Sequence, residues 1–111
     1  TTLAQNFIKY FGFASVKSPT YSLVASYQTD NLDIHHFDCY RLTVPVYLEY
    51  IGIREYLTPK SIQLIEWPEL GKGALAKADI SIKLSGNGNT RNAKITFQTD
   101  IGQSIKECAF G

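Results

Sequence analysis

Two of the acidic residues, Asp38 and Glu66, occupy places where a carboxylate is chemically unusual. Asp38 lies in the run IHHFDCYRL between a phenylalanine and a cysteine, and a charge there is costly unless it is paired, hydrogen-bonded or bound to a metal. Glu66 ends the apolar segment SIQLIE and is followed by Trp67 and a proline, which restrict the loop after it. A carboxylate can hold a divalent cation or accept a proton, so both residues are candidate catalytic groups.

The run around Asp38 also contains three other potential metal ligands, His35, His36 and Cys39. A structural zinc site needs four ligands, and successive side chains of a strand face opposite sides, so only His36 and Asp38 could share a metal. No second group of histidines and cysteines supplies the remainder. We therefore do not expect zinc, and we interpret His36 as a strand residue near a functional carboxylate, with His35 on the other side.

Helical and strand patterns alternate along the chain and would position these residues. Apolar residues at helical spacing over 1–10, followed by Gly12, predict an amphipathic helix. YSLVASYQT and IHHFDCYRL predict a hairpin turning at DNLD, and DISIKLSG and NAKITFQT predict another around GNGNTR. PVYLEYIGIREYL predicts a helix weakened by Gly52, and SIQLIEW predicts a buried parallel strand delivering Glu66 at its carboxyl end. The class expected is α/β with antiparallel additions.

Composition limits the partners and the location of the protein. The 111 residues are 44% hydrophobic and suffice for one domain, and a net charge of +1 gives no general attraction to DNA or to a membrane surface. No apolar run approaches the length of a membrane span, and the first residues do not resemble a secretion signal. Two distant cysteines suggest reduced thiols and a cytoplasmic location. Because a helical pattern begins at the first residue and the chain has no methionine, we expect further sequence before Thr1.

Taken in order, the segments TTLAQNF, VKSPTYSLV, HHFDCYRL, GIREYL, LIEWPE and ADISIKL resemble the TsaE family of P-loop ATPases, which act in tRNA threonylcarbamoyladenosine synthesis in bacteria. The resemblance covers most of the chain and weakens after Ser85. It implies a P-loop NTPase-like three-layer sandwich with a mixed central sheet and antiparallel hairpins, forming a single ATPase-like domain over 1–111. The N-terminal strand and the P-loop itself would precede Thr1.

The resemblance also implies roles for individual residues around ATP and Mg²⁺. Thr1 would ligate Mg²⁺, and Thr2 would lie beside the phosphates at a helix N-terminus, where the dipole favours anions. Asp38 would hold Mg²⁺, and Glu66 would lie at the metal and orient or deprotonate the water that attacks the γ-phosphate. The other nucleotide-site residues implied are two members of a γ-phosphate-sensing switch and an aromatic support: Ser18, Thr20 and Trp67.

The implied function is that of an ATPase subunit that drives or resets a tRNA threonylcarbamoyladenosine synthase complex. Its partners would be the proteins of that complex, with tRNA contacted indirectly. Two alternatives stay open: a non-catalytic module that docks on a partner complex through SPTY and EWPE, and a small metal-dependent hydrolase that uses His36, Asp38 and Glu66 without nucleotide. A strand, a glycine-rich loop and a lysine immediately before Thr1 would favour the ATPase.

Overall fold

The computed structural model describes residues 2–13, 16, 23–40 and 42–110. The chain divides into two units, Thr1–Leu75 and Ala76–Gly111, which are considered separately. The expectation of a single domain over the whole chain stays a prediction. No helix formed by the described residues is long and apolar enough to cross a membrane.

The first unit begins with helix α1, Thr2–Tyr10, which confirms the helix expected from the apolar spacing. Ile8 is its fully buried side chain. The turn after the helix contains Gly12, whose φ of 94° is left-handed and whose N–H donates to the carbonyl of Lys9 at 2.9 Å. Glycine favours this kind of ending because it has no Cβ to clash in the left-handed conformation.

A hairpin follows, formed by strands β1 (Val24–Gln28) and β2 (Asp33–Asp38), which pair antiparallel. Its turn is held at both ends, because the N–H of Thr29 donates to the carbonyl of Leu32 at 2.8 Å. The side-chain oxygen Oγ1 of Thr29 in turn accepts the N–H of Leu32 at 2.9 Å. The first predicted hairpin is therefore confirmed, with strands shorter than the alternating segments.

The chain then crosses over to strand β3, Ser61–Glu66, which pairs parallel with β2. The crossover contains helix α2, Val46–Tyr50, and a short 3₁₀ helix, Ile53–Tyr56. They are separated by Gly52, whose φ of 76° breaks the helix that its presence was expected to weaken. The three strands form a sheet in the order β1-β2-β3, so the α/β class and the mixed sheet are confirmed. The parallel pairing expected for β3 is confirmed, whereas the buried strand that was expected has residues that are each only partly buried.

Strand β2 is covered on both of its faces. Ile34 and His36 are fully buried on one face, and Phe37 is fully buried on the other. Phe37 belongs to a buried cluster whose other members come from the residue after β2, from the crossover and from the segment after β3: Cys39, Leu48, Ile53 and Ala74. β2 is thus the central strand of this sheet, and its position is fixed by packing from both sides.

The second unit contains the second hairpin and a helix. Strands β4 (Ile80–Asn87) and β5 (Thr90–Phe97) pair antiparallel around a two-residue loop in which Gly88 has a φ of 65°. The Gly/Asn turn chemistry predicted this hairpin, which is confirmed. Helix α3, Asp100–Phe110, was not predicted.

The start of α3 carries a cap that the sequence pattern did contain. The hydroxyl oxygen of Thr99 accepts the N–H of Gly102 at 3.0 Å, which satisfies one of the free donors of the first turn. Gly102 is buried, and a Cβ at that position would overlap the backbone carbonyl of Asp79. The helix therefore approaches the chain before β4 closely enough to require a glycine.

Replacing Gly102 by alanine is expected to lower the free energy of unfolding by about 1–3 kcal/mol, because the added methyl group meets a backbone oxygen that cannot move aside cheaply. The direction of this change is informative, because replacing glycine by alanine in an unhindered helix raises the free energy of unfolding by about 1 kcal/mol. Urea denaturation measures it. Ser104→Ala, at an exposed position of the same helix, is the control and should shift stability by less than about 0.5 kcal/mol.

Candidate functional site

The two candidate carboxylates, Asp38 and Glu66, lie at paired positions at the carboxyl ends of β2 and β3. Side chains at paired positions of neighbouring parallel strands project from the same face of the sheet. The carboxyl ends of strands are where open α/β sheets bind their ligands. Two residues separated by 28 positions in the chain are thereby brought together at one end of the sheet.

Asp38 ends its strand with a side-chain turn. Its Oδ1 accepts the N–H of Tyr40 at 3.0 Å, a local bond that is typical of aspartate at a turn. The other carboxylate oxygen, Oδ2, has no hydrogen-bond partner among the residues that the structure describes. Oδ1 therefore accepts a hydrogen bond from the backbone, and Oδ2 remains able to bind a cation or a water molecule.

Glu66 is held by a buried histidine on the neighbouring strand. Its Oε2 lies 2.6 Å from Nε2 of His36, which is fully buried, whereas the Glu66 side chain is 18% exposed. Nδ1, the second ring nitrogen of His36, is buried and has no hydrogen-bond partner in the described part of the chain. The carboxylate thus lies between a buried imidazole and the surface.

Burial and the contact with His36 act in opposite directions on Glu66. Burial raises the pKa of its carboxyl group, whereas the hydrogen bond to His36 lowers it. An ionised carboxylate accepts hydrogen bonds and binds cations. The hydrogen bond to His36 therefore favours the form of Glu66 that a metal ligand or a proton acceptor requires.

The loop after Glu66 has an unusual backbone. Trp67 adopts a left-handed conformation with φ 57° and ψ 50°, and its ring lies 5.2 Å from the ring of Tyr40. A 3₁₀ helix, Pro68–Gly71, follows at once. The N–H of Cys39 donates to the carbonyl of Glu66 at 3.0 Å, so both strand ends are joined just below the two carboxylates. The expectation that Trp67 and its proline shape this loop agrees with the observed turn.

Cys39 is a buried thiol directly after Asp38. Burial raises its pKa, and the negative charges of Asp38 and Glu69 raise it further. A thiol with a raised pKa is a poor nucleophile at neutral pH. Cys39 therefore contributes packing to the core rather than chemistry to the site.

His35 lies on the opposite face of β2 from His36, as strand alternation predicted. Its Nδ1 is 2.8 Å from the hydroxyl of Ser26, and its ring contacts that of Tyr56 with centroids 4.9 Å apart. Burial lowers the pKa of His35, and the charge of Asp33 opposes that effect without cancelling it. His35 is thus a core histidine that favours its neutral form.

This lowered pKa predicts how stability changes with pH. The unfolded chain binds a proton at His35 near pH 6.5, at a higher pH than the folded chain does, so acid favours unfolding. The free energy of unfolding should therefore decrease as the pH falls below about 6.5, by at most about 1.4 kcal/mol per pH unit from this group. In His35→Gln the decrease should be smaller over the same range. Urea titrations at several pH values test this, and equal slopes for both proteins would contradict it.

Of the predicted residues at the start of the chain and in the predicted switch segment, the structure describes only Thr2. Thr2 is exposed at the beginning of α1. Thr1, Ser18 and Thr20 lie outside the described residues, so their predicted roles stay predictions. Within 2–13, 23–40 and 42–110, no group of three or more histidine, cysteine, aspartate or glutamate side chains is arranged to hold a metal ion. The alternative of a metal-dependent hydrolase built on His36, Asp38 and Glu66 gains no support from this arrangement.

One contact of the site was not predicted in full. The sequence placed His36 on the same face as Asp38, but its observed partner is Glu66 on the next strand. Identifying that partner requires the register between β2 and β3, which the crossover and the core determine and the local pattern does not. The only available signal was an imidazole and a carboxylate, each within two residues of a strand end.

Comparison with known proteins gives consistent results. The family model described as threonylcarbamoyl adenosine biosynthesis protein TsaE matches residues 1–95. The chain is similar to the tRNA threonylcarbamoyladenosine biosynthesis protein TsaE of Haemophilus influenzae, with 43% identity over 106 residues, covering 95% of this chain and 67% of that protein. The protein of the same name from Rickettsia conorii is 36% identical over 93 residues, covering 82% of this chain and 53% of its own length. That of Bacillus subtilis is 29% identical over 103 residues, covering 92% and 63%.

The chain therefore spans about half to two thirds of the length of these relatives. The family match covers far more than half of the chain, and it includes both Asp38 and Glu66. The segments that carry the sequence resemblance fall in the same region. On these grounds the chain belongs to the TsaE family.

Proposed function

We propose that the protein acts in tRNA threonylcarbamoyladenosine biosynthesis as a subunit that hydrolyses ATP with Mg²⁺. Membership of the TsaE family and the names of its relatives support the place in tRNA modification. The chemistry is supported by the pairing of Asp38 with Glu66 at the carboxyl ends of two parallel strands. That pairing is the observation on which the proposal depends.

The donor set fits Mg²⁺. This cation prefers oxygen ligands, keeps several waters and is usually held by one or two carboxylates together with substrate phosphates. Oδ2 of Asp38 has no partner in the described residues and is the oxygen that would hold it. When bound, Mg²⁺ supplies charge neutralisation for the phosphates. The lack of a three-ligand cluster among the described side chains is consistent with this, because the phosphates and water complete the shell.

Glu66 would act on the attacking water. Its contact with His36 restricts the directions that the carboxylate can take. Phosphoryl transfer depends mainly on positioning and charge stabilisation, so an oriented carboxylate is sufficient for this task. Because a weakly basic carboxylate is a modest proton acceptor, orienting the water is the larger part of the proposed role.

The phosphates would be bound at the start of α1, where Thr2 lies. A helix N-terminus presents free backbone N–H groups and a partial positive charge, both of which attract phosphate. Thr1 keeps its proposed role as a second Mg²⁺ ligand, Ser18 and Thr20 keep theirs as a γ-phosphate sensor, and Trp67 as a support of the nucleotide site. The sequence before Thr1 would have to supply the glycine-rich loop and the lysine that complete a P-loop.

The protein would work with partners rather than alone on tRNA. Its net charge is +1, so it has no large excess of positive charge with which to bind a polyanion by itself. We propose that it drives or resets a protein complex that synthesises the modified nucleoside and that tRNA binds mainly to other subunits. ATP hydrolysis and tRNA contact would then be divided between different chains.

The test uses the full-length protein. Hydrolysis of ATP is measured by phosphate release, with Mg²⁺ and then with the metal removed by a chelator, in the presence and absence of the partner subunits. The proposal expects turnover that stops on chelation and returns when Mg²⁺ is restored. Binding to the partner complex without any hydrolysis would instead establish the non-catalytic docking module.

A further inference from the structure

The contact between His36 and Glu66 links a buried side chain of the central strand to one of the two carboxylates at the carboxyl end of the sheet. His36 is fully buried in the central strand, and its partner is partly exposed on the neighbouring strand. The separation of 2.6 Å between Nε2 and Oε2 is slightly shorter than the about 2.7–2.9 Å of charge-assisted N–H···O hydrogen bonds. An ionised carboxylate only accepts, so Nε2 is the donor and carries the hydrogen.

Packing alone does not explain a histidine at this position. Nδ1 is buried without a partner among the described residues, which costs free energy that an apolar side chain of similar size would avoid. The hydrogen bond to Glu66 is the one favourable polar contact that the ring makes in the described structure. The residue is therefore best explained by what it does to Glu66.

The geometry also shows what that effect is. A glutamate side chain has three rotatable bonds, and an exposed one samples many directions. Here one carboxylate oxygen is held by a donor from the His36 ring, which is fully buried in the central strand. The direction of the Glu66 carboxylate is therefore restricted by a buried ring of the central strand.

We propose that His36 is a positioning residue that fixes the direction of the Glu66 carboxylate by donating its Nε2–H to Oε2. The inference rests on the proposed function for its effect on ATP hydrolysis, whereas the contact itself does not depend on that function. His36 does not act on the nucleotide directly. It acts through Glu66, by removing orientations in which the carboxylate cannot reach the attacking water.

Two amide variants separate this role from simple space filling. The side-chain nitrogen of glutamine reaches about as far as Nε2 of histidine, whereas that of asparagine reaches only about as far as Nδ1. In the full-length protein, His36→Asn should lower kcat for ATP by at least about tenfold, because a misplaced catalytic group is costly, and leave KM within about twofold. His36→Gln should recover most of the loss, to within about threefold of the original kcat.

His35→Asn is the matched control, because it makes the same change at the adjacent position on the opposite face, away from both carboxylates. Its kcat should stay within about twofold of the original value, since its partners are Ser26 and Tyr56. Thermal unfolding of all three variants shows whether a loss of kcat follows a loss of folding. Equal kcat in His36→Gln and His36→Asn, whether both low or both normal, would overturn the proposal.

A spectroscopic measurement decides the matter if His36→Asn does not fold. In protein labelled with ¹⁵N-histidine, the Nε2–H proton of His36 should resonate far downfield, as expected for a short hydrogen bond to a carboxylate. Glu66→Gln should shift this resonance strongly upfield, and Asp38→Asn should leave it nearly unchanged. A resonance that does not respond to Glu66→Gln would refute the contact.

The two readouts also distinguish this inference from the proposed function. If the unmodified protein hydrolyses no ATP with its partners and Mg²⁺ present, the proposed function fails, while the resonance still reports whether His36 holds Glu66. If hydrolysis is normal and the Nε2–H resonance of His36 does not change in Glu66→Gln, the positioning role of His36 is refuted and the proposed ATPase function is retained.

Discussion

Glu66→Gln is expected to slow ATP hydrolysis by the full-length protein at least about tenfold, equivalent to about 1.4 kcal/mol of activation barrier. Glutamine has nearly the same size and can still accept the hydrogen bond from His36 through its carbonyl oxygen. It cannot take a proton or orient water with a negative charge. Nucleotide binding should therefore stay within about threefold, because the interaction that is lost belongs to the chemical step. Steady-state turnover and calorimetric titration of ATP measure the two quantities.

Glu107→Gln provides the control for this substitution. Glu107 is exposed on α3, in the second unit of the chain, and carries the same change of charge. Its turnover should equal that of the unmodified protein. A Glu66→Gln protein with unchanged turnover would remove Glu66 from the catalytic step, and one that no longer binds ATP would assign it to binding instead.

Asp38→Asn is expected to raise the Mg²⁺ concentration required for half-maximal ATP hydrolysis by at least about tenfold. Asparagine retains an oxygen that can accept the N–H of Tyr40, so the turn after β2 is preserved. What it loses is the negative charge and one anionic oxygen, the features that bind a hard cation. Titrating Mg²⁺ at saturating ATP gives the half-maximal concentration directly.

Two further variants make this result interpretable. Asp30→Asn, in the exposed turn of the first hairpin, controls for the change of net charge and should give the original Mg²⁺ titration. Asp38→Ala removes the turn acceptor as well and should additionally destabilise the fold by about 1 kcal/mol. If Asp38→Asn and the unmodified protein give superimposable Mg²⁺ titrations, Asp38 is a turn residue only.

The parts of the fold that could be predicted have local signals in the sequence. The spacing of apolar residues identified α1, and the glycine after it identified its end. The alternating segments flanking DNLD and GNGNTR identified both hairpins, because turn residues and strand periodicity agreed at each. For Glu66, the position of an acid at the end of an apolar strand was enough to predict its place in the sheet.

What could not be predicted depends on contacts between distant segments. β3 was expected to be buried because its segment is largely apolar until Glu66, but burial depends on what covers a strand and not on its own composition. The partner of His36 depends on a register that no local pattern records. Helix α3 was missed although Thr99 and Asp100 form an acceptable start and Ile101 and Ile105 recur at helical spacing.

The central strand carries a constraint on the length of the exposed turn before it. β2 alternates between residues that build the interior, such as Phe37, and residues that serve the carboxylate end, His36 and Asp38. A slip of one residue would exchange the two sets, placing the phenyl ring among the charges and the imidazole within the apolar cluster. The turn between Thr29 and Leu32 determines the register of β2. Inserting or deleting a single amino acid there is thus expected to disrupt the fold, although the turn is exposed.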